Sequence, residues 1–560
     1  MSVSTPPSPP KIDSRNVGDF DGVDETTAEH GSASGRFTAP KTVGLLVLVL
    51  LPYWIIPLGH VASNPATATG FFQYELPYYV ANGRAAFERG NGVFYPNPYD
   101  PADEAPSIYS HWLPWAFGFL TAKAGFDPGD VILAFTFFAS LAFALSTREL
   151  VRLRTESHGY EVFGFLGAML GGGTLCLVGA FVGAFTAESF TDSVLQFDPG
   201  RGMWFLNWGR NALFPTEAIY HALVAGCWIF EIGRRSSLAN VLLLLLITTH
   251  PWSGLELLFT INLWRATEYL VERTSTSRNQ LIVSVVALAA FLGYYKVWLP
   301  SFPSHAELQD VWELNWSVTW TIVALAYVPV LIPCLIRIRR QMKARQITRP
   351  ERFLICALFV AVGLAFHDRL IKPVQPLHFT RGYVWMPMFL LGLPVMLEWL
   401  KAFRQRSRRF GIAVVVVLLL IVADNLIFSA LHFHRQFTKL DGFHLDTDER
   451  ALLATLHNSQ YASHVVLTES ETLNYLLPTY AHVRPWLGHH FNTPRFPERK
   501  ETWKQCFESQ SIDSSQIPSD VDLVILRLRS DAASLISDDE WQLTDLQNAG
   551  WQGWKRVDDF

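Results

Sequence analysis

The chain has 560 residues, of which 50% are apolar, 14% aromatic and only 17% charged. Its apolar residues gather in blocks too long for core strands, which points to a polytopic α-helical membrane protein. A net charge of −5, with basic residues in short blocks, excludes a nucleic-acid partner, and five cysteines without pairing or ligand spacing exclude a disulfide scaffold and a cysteine zinc site.

Residues 1–41, rich in Ser, Pro, Thr, Gly and acids, read as a disordered cytoplasmic tail. No small-residue cleavage pattern follows the first apolar run, Val43 to Leu58, so that run reads as an uncleaved anchor. It opens a membrane domain over 42–432 whose first loop, 59–111, contains FFQYELPYYVANGRAAFERGNGVFYPNPYDP, with Glu75 as a lone carboxylate among aromatics. Pro77 suits a first helical turn, and Tyr78, Tyr79, Asn82 and Ala86 follow at helical steps. The spacing predicts an amphipathic helix along the membrane surface, with Glu75 at its start and the tyrosines at headgroup depth. Two roles are open to that carboxylate. Partial desolvation raises its pKa toward the range of a general base, or else it caps the helix and meets the N-terminal dipole.

Further apolar runs lie at 112–126, 131–147, 162–185, 213–232, 238–249, 253–268, 281–299, 317–336, 353–366, 383–399 and 411–431, about eleven or twelve spans in all. Between spans, residues 185–221 offer Glu188, Asp192, Asp198, Arg201 and Arg210 with Trp204 and Trp208, a mixture that suits a sugar and a membrane interface equally. Glu217 and His221 follow four residues apart on one helical face, as a structural pair, the wall of a substrate cavity or two ligands of a metal that lacks an evident third. His250 breaks an apolar run in Thr249-His250-Pro251-Trp252 and reads as a partner for freed backbone groups. Basic blocks at Arg337–Arg352 and Lys401–Arg409 mark the cytoplasmic side. Counting outward puts 300–316, 367–382 and the chain after Leu431 outside, but counting backward from Glu75's loop places Arg148 to Arg154 outside too. Either 112–126 is re-entrant, or 238–268 crosses once with a bend at Pro251. The outer stretch HDRLIKPVQPLHFTRGY (367–383) carries Arg369, Lys372, His378 and Arg381 against the positive-inside tendency. Residues 433–560, with short β-branched runs such as HVVLTE and DLVILR between helical patterns, read as a small extracytoplasmic α/β domain.

The order of first span, acid, Tyr-Tyr helix, Gly-rich turn, Asn97-Pro98-Tyr99-Asp100 and then Ile108-Tyr109-Ser110-His111-Trp112 resembles the first extracytoplasmic loop of the GT-C superfamily. These are integral-membrane glycosyltransferases that use polyprenyl-phosphate-linked sugars, and the bacterial mannosyltransferase-like branch is the nearest. The chain departs from many members in carrying Glu where they carry Asp, and Tyr109-Ser110-His111 where they carry Tyr-Pro-Pro. The resemblance implies that Glu75 is the catalytic base, with Tyr78 and Tyr79 beside the substrate. Transfer from a lipid phosphate also needs cationic donors on the same face. Lys372, His378 and Arg381 supply candidates, Arg381 being the best bidentate phosphate ligand. Asp192, Arg210, Glu217 and His221 complete the candidate substrate residues. The C-terminal region resembles the tails of several GT-C proteins, and His482, Arg484, Trp486, His489 and His490 there fit the mouth of the site or an ordinary surface loop.

The implied partners are a polyprenyl-phosphate sugar donor, membrane lipids and a glycan, lipid or protein acceptor, in a multi-pass protein of a bacterial inner or plasma membrane with a cytoplasmic N-terminus. The sequence names no cofactor; no nucleotide fingerprint follows a strand, and nothing supports a divalent cation. A transporter or lipid flippase is the alternative, using Glu217, His221 and Asp424 inside the membrane, although no internal repeat is found. A non-catalytic scaffold with a degenerate site is the third reading.

Overall fold

The computed structural model describes residues 39–155, 157–186, 189–202, 204–311, 317–406, 408–457, 459–507, 516–528, 540–546 and 550–557. The predicted N-terminal tail therefore lies almost wholly outside the described residues, as does Glu188. Four described helices are long and apolar enough to cross a bilayer: Pro40–Ser63, Pro128–Arg152, Ser275–Ser301 and Trp320–Ala344. A fifth crossing arises if His158–Leu170 and Leu175–Gly183, bent by 56°, count as one span. The other predicted runs also form helices, among them Pro215–Ile232, Ser236–Ile247, Pro251–Glu272, Arg349–Ala365, Trp385–Arg406 and Arg408–Phe437. His250 is the N-cap of Pro251–Glu272 and accepts from the Ser253 amide at 3.2 Å, the backbone-satisfying role expected for it.

Ion pairs show which of the basic stretches lie together. Arg154 and Arg337 lie 3.4 and 2.7 Å from the same oxygen of Glu351, so the basic stretches around 148–154 and 337–352 share one side. At its other end, helix Pro128–Arg152 begins against the first loop. There the backbones of Gly70 and Gly129 approach so closely that neither position has room for a Cβ. One full helix thus separates the loop from the basic side. Residues 112–123 form only Trp112–Gly118 and a π turn, about 18 Å of helix where a crossing needs about 30 Å. That length is compatible with the re-entrant alternative.

The loop helix, Leu76–Glu88, has Pro77 in its first turn as predicted. It is more enclosed than an exposed amphipathic helix. Gly83 presses backbone to backbone on Pro114 and Gly118, while Thr479 of the later helix Glu471–Tyr480 donates to the Pro77 carbonyl at 3.2 Å. The helix is clamped between these two neighbours, with Val80, Ala81, Asn82, Arg84 and Ala86 all buried. Tyr78 and Tyr79 are only partly buried, and the Tyr78 ring packs on Tyr99 and His489 inside the protein.

The C-terminal region contains the predicted strands. β1 (Val465–Thr468), β2 (Arg484–Pro485), β3 (Leu523–Arg527), β4 (Trp541–Leu543) and β5 (Trp551–Arg556) form one sheet in the order β2-β1-β3-β5-β4. β1 runs parallel to β2 and β3, and β5 antiparallel to β3 and β4. The segment after β2 returns to the first loop and brings His489 to Glu75.

Candidate functional site

Glu75 occupies the N-cap position of Leu76–Glu88, yet its side chain makes no capping hydrogen bond. Its backbone N–H is held by Gln73 Oε1 at 2.8 Å, and its carboxylate turns outward to His489, with Oε2 3.1 Å from Nε2. The carboxylate keeps 38% of its exposure while the imidazole keeps 1%. Around that imidazole stand the rings of Tyr74, Tyr78, Tyr475 and Tyr99, at 5.1, 5.0, 5.5 and 5.7 Å. Behind it, His489 Nδ1 accepts from the Phe491 amide at 3.2 Å and stands 2.9 Å from Asn492 Nδ2.

The Asn97-Pro98-Tyr99-Asp100 turn is what locks the two segments together. Asn97 accepts from the Tyr99 amide at 3.0 Å and donates to the Asn492 carbonyl at 2.6 Å. Tyr99, fully buried, donates to the Tyr475 carbonyl at 3.3 Å. A Cβ at Gly488 would stand 2.5 Å from the Tyr99 ring, so only glycine lets the His489 segment come this close.

The electrostatics correct the expected rise in the Glu75 pKa. Burial pushes the carboxyl up, but His489 next to it, with His490 and Arg381 adding to the effect, outweighs burial and holds it below the usual carboxylate range. Partial desolvation is present as expected. What the sequence could not show is the set of donors waiting for the charge.

Arg381 stands within electrostatic reach of Glu75 and of Tyr79. Its guanidinium lies over the Trp204 ring at 5.0 Å and is ion-paired with Glu217. The Arg381 carbonyl is 2.6 Å from His221 Nε2, and the His221 ring stacks on Tyr383 at 4.6 Å. Glu217 and His221 do share a helical face. Their Oε2 and Nδ1 are 3.9 Å apart, His221 Nδ1 lies 2.8 Å from the Glu217 carbonyl, and each also grips Arg381, one by its charge and one by its backbone. The metal alternative finds no support, since no group of three or more His, Cys, Asp or Glu among the described residues is arranged to hold an ion.

The remaining candidates scatter. His378 sits between Trp204 and Trp252, at ring distances of 4.6 and 5.2 Å, close to the Arg381 site. Lys372 and Asp192 are exposed. Arg210 is fully buried, paired with Asp198 and, at 2.7 Å, with Asp424, and it donates to Asn425 at 2.8 Å. Asp424 also accepts from the Cys176 and Leu177 amides at 2.7 and 3.2 Å, which caps helix Leu175–Gly183. These three side chains are committed to one another.

A small cleft, with a cavity volume of about 30 Å³, adjoins the Glu75 pair through Tyr78 and Asn492. Asn82, Tyr95, Asn97, Tyr109, His111, His305 and Gln309 supply the rest of its polar lining, which carries hydrogen-bonding groups and no acid, lysine or arginine. The Ile108-to-Trp112 motif enters here. Tyr109 Oη is 2.8 Å from His305 Nδ1, and His111 Nδ1 is 2.6 Å from Tyr95 Oη. The roles of Tyr74, Tyr475, Asn492 and Trp252 were not anticipated. None forms a motif in the sequence, and each matters through a partner more than a hundred residues away.

No family model and no curated protein matches the chain. Among solved structures, the crystal structure of ArnT from Cupriavidus metallidurans in the apo state aligns with 93% of this chain and 98% of its own, at 11% identity and a TM-score of 0.44.

Proposed function

We propose that this chain is a GT-C-type membrane glycosyltransferase that moves a sugar from a polyprenyl-phosphate carrier to a hydroxyl acceptor on the outer face of the membrane, as in the mannosyltransferase-like branch. The observation that carries the reading is the Glu75 carboxylate, free of capping duty and held half-exposed by His489. Arg381 within reach of the same carboxylate supports it. Glu75 accepts the proton of the acceptor hydroxyl as the new C–O bond forms at the sugar, and the bond from sugar to phosphate breaks. Arg381, steadied by Glu217 and Trp204, neutralises the departing phosphate. The transporter alternative is weakened because Asp424, Glu217 and His221 are all engaged by protein groups.

Two measurements test this reading. Arg381→Ala should weaken use of the lipid donor by about ten- to a hundredfold, the loss of a charge-assisted contact. Because that change strands Glu217, it is best read beside Arg381→Ala with Glu217→Gln, which removes the unpaired acid. Unchanged donor kinetics in both proteins would reduce Arg381 to a headgroup anchor. The second measurement concerns sidedness. All five native cysteines are buried, so single cysteines placed at the exposed Val93 and Met342 report cleanly. A membrane-impermeant maleimide should label Val93→Cys in intact cells and spare Met342→Cys. The reverse pattern would take Glu75 off the face where the lipid carrier presents its sugar.

A further inference from the structure

We infer that His489 is the positioning residue of the Glu75 carboxylate, and that the Phe491 amide together with Asn492 fixes which imidazole nitrogen carries the proton. The inference rests on the reading of Glu75 as the base and adds to it the group that sets its direction and its charge.

The tautomer follows from geometry. The Phe491 amide, whose N–H has no choice of orientation, points at Nδ1 from 3.2 Å, and the Asn492 amide nitrogen stands 2.9 Å away. Nδ1 must therefore offer a lone pair. The proton resides on Nε2, which faces Glu75 Oε2 at 3.1 Å. In the other tautomer two donors would confront an N–H while a lone pair confronted a carboxylate, so three contacts would turn unfavourable together. Rotation offers no escape, because the ring is 1% exposed and hemmed in by tyrosines.

The arrangement does two things for the carboxylate. It engages one oxygen and so aims the side chain, which keeps 38% exposure for a substrate hydroxyl. It also stabilises the ionised form without a permanent cation in contact. The other groups facing Glu75 are His490 on the same segment and Arg381 from the loop before helix Trp385–Arg406. Tyr74, Tyr78, Tyr79, Tyr99 and Tyr475 are near it as well. All of these stay in place when His489 alone is changed.

The test is the pH dependence of carbodiimide labelling at Glu75 in the full-length, detergent-purified protein, read by peptide mass spectrometry. Only the protonated carboxyl reacts, so the readout needs no turnover. His489→Ala removes a donor to the charged form while burial remains, and should move the labelling midpoint up by about one to two pH units. His489→Gln, whose amide can donate in the same direction, should restore most of the shift. Asn492→Asp places a carboxylate at Nδ1, favours protonation of both nitrogens and should move the midpoint below that of the parent. Equal midpoints in all four proteins would overturn the inference, and lowered thermal stability at unmoved midpoints would make His489 a docking residue only. If the midpoints move as stated and no protein transfers sugar, the pairing stands and the transferase reading falls. Active transfer at unmoved midpoints overturns the pairing and leaves the transferase reading in place.

Discussion

Glu75→Gln is expected to lower sugar transfer by roughly two to four orders of magnitude while leaving the thermal midpoint of the protein close to that of the parent. The substitution preserves shape, and its amide oxygen still accepts from His489 Nε2. It removes only the ability to take a proton. A helix cap would behave otherwise, losing about 1 kcal/mol of stability at nearly intact turnover, but Glu75 makes no capping bond to lose. Glu75→Asp retains a base on a shorter stem and should keep partial activity. The pH profile carries a second signature. A carboxyl whose pKa is lowered stays ionised to a lower pH, so activity should be flat from neutral pH downward and begin to fall at a lower pH than an unperturbed carboxylate would give. By linkage the same group contributes stability that is present above its unfolded pKa and lost as pH falls through the lower folded value. Transfer from a polyprenyl-phosphate donor, assayed across pH beside thermal unfolding, checks all three. Full activity in folded Glu75→Gln would sink the catalytic assignment.

Arg210→Ala should be strongly destabilising. Its guanidinium stands between Asp198 and Asp424, all three side chains wholly buried, and its loss leaves two carboxylates facing each other without a counter-charge. Breaking a buried pair from one side costs about 3–5 kcal/mol. The damage also reaches Asp424's bonds to the Cys176 and Leu177 amides, which cap the short helix after the bend. Low yield and a sharply lowered thermal midpoint are expected, with recovery when Asp198→Asn and Asp424→Asn are added, because the isosteric amides remove the charge and keep an acceptor for the cap. A substrate-binding Arg210 would show the reverse: stable protein, weak donor use and no rescue by the two amides.

How far the sequence reached depended on whether a feature was local. Pro77 and the helical steps after Glu75 place the loop helix within one stretch of chain, and that helix forms. The β-branched runs HVVLTE and DLVILR likewise become neighbouring strands, because strand propensity and alternation are local properties. The pairing of Glu75 with His489 spans 414 positions, and nothing in a His-His dipeptide tells a buried imidazole from a surface one. The direction of the Glu75 pKa failed for the same reason, since desolvation is visible in an apolar neighbourhood whereas the opposing donors come from remote segments. Arg210 illustrates the converse error. A basic residue among tryptophans looks like a sugar or phosphate ligand until Asp424, from a helix two hundred residues later, is seen to take its charge. Glu217 and His221 were legible as a pair on one face, but Arg381, the residue they both hold, lies in a loop far along the chain that shows no sign of them.

The order in which the chain is made gives the Glu75 pair a meaning of its own. The acid is synthesised near the beginning and its imidazole partner near the end, after helix Arg408–Phe437 and the first two strands. While the membrane region is being made, the Glu75 carboxylate has no His489 to orient it; on the proposed reading a nascent chain therefore carries the base without its aim. Only a chain extended through the His489 segment, with that segment folded back onto the first loop, brings Glu75 and His489 together. A chain cut after Phe437 lacks His489, and with it the helix Glu471–Tyr480 that holds the loop helix in place.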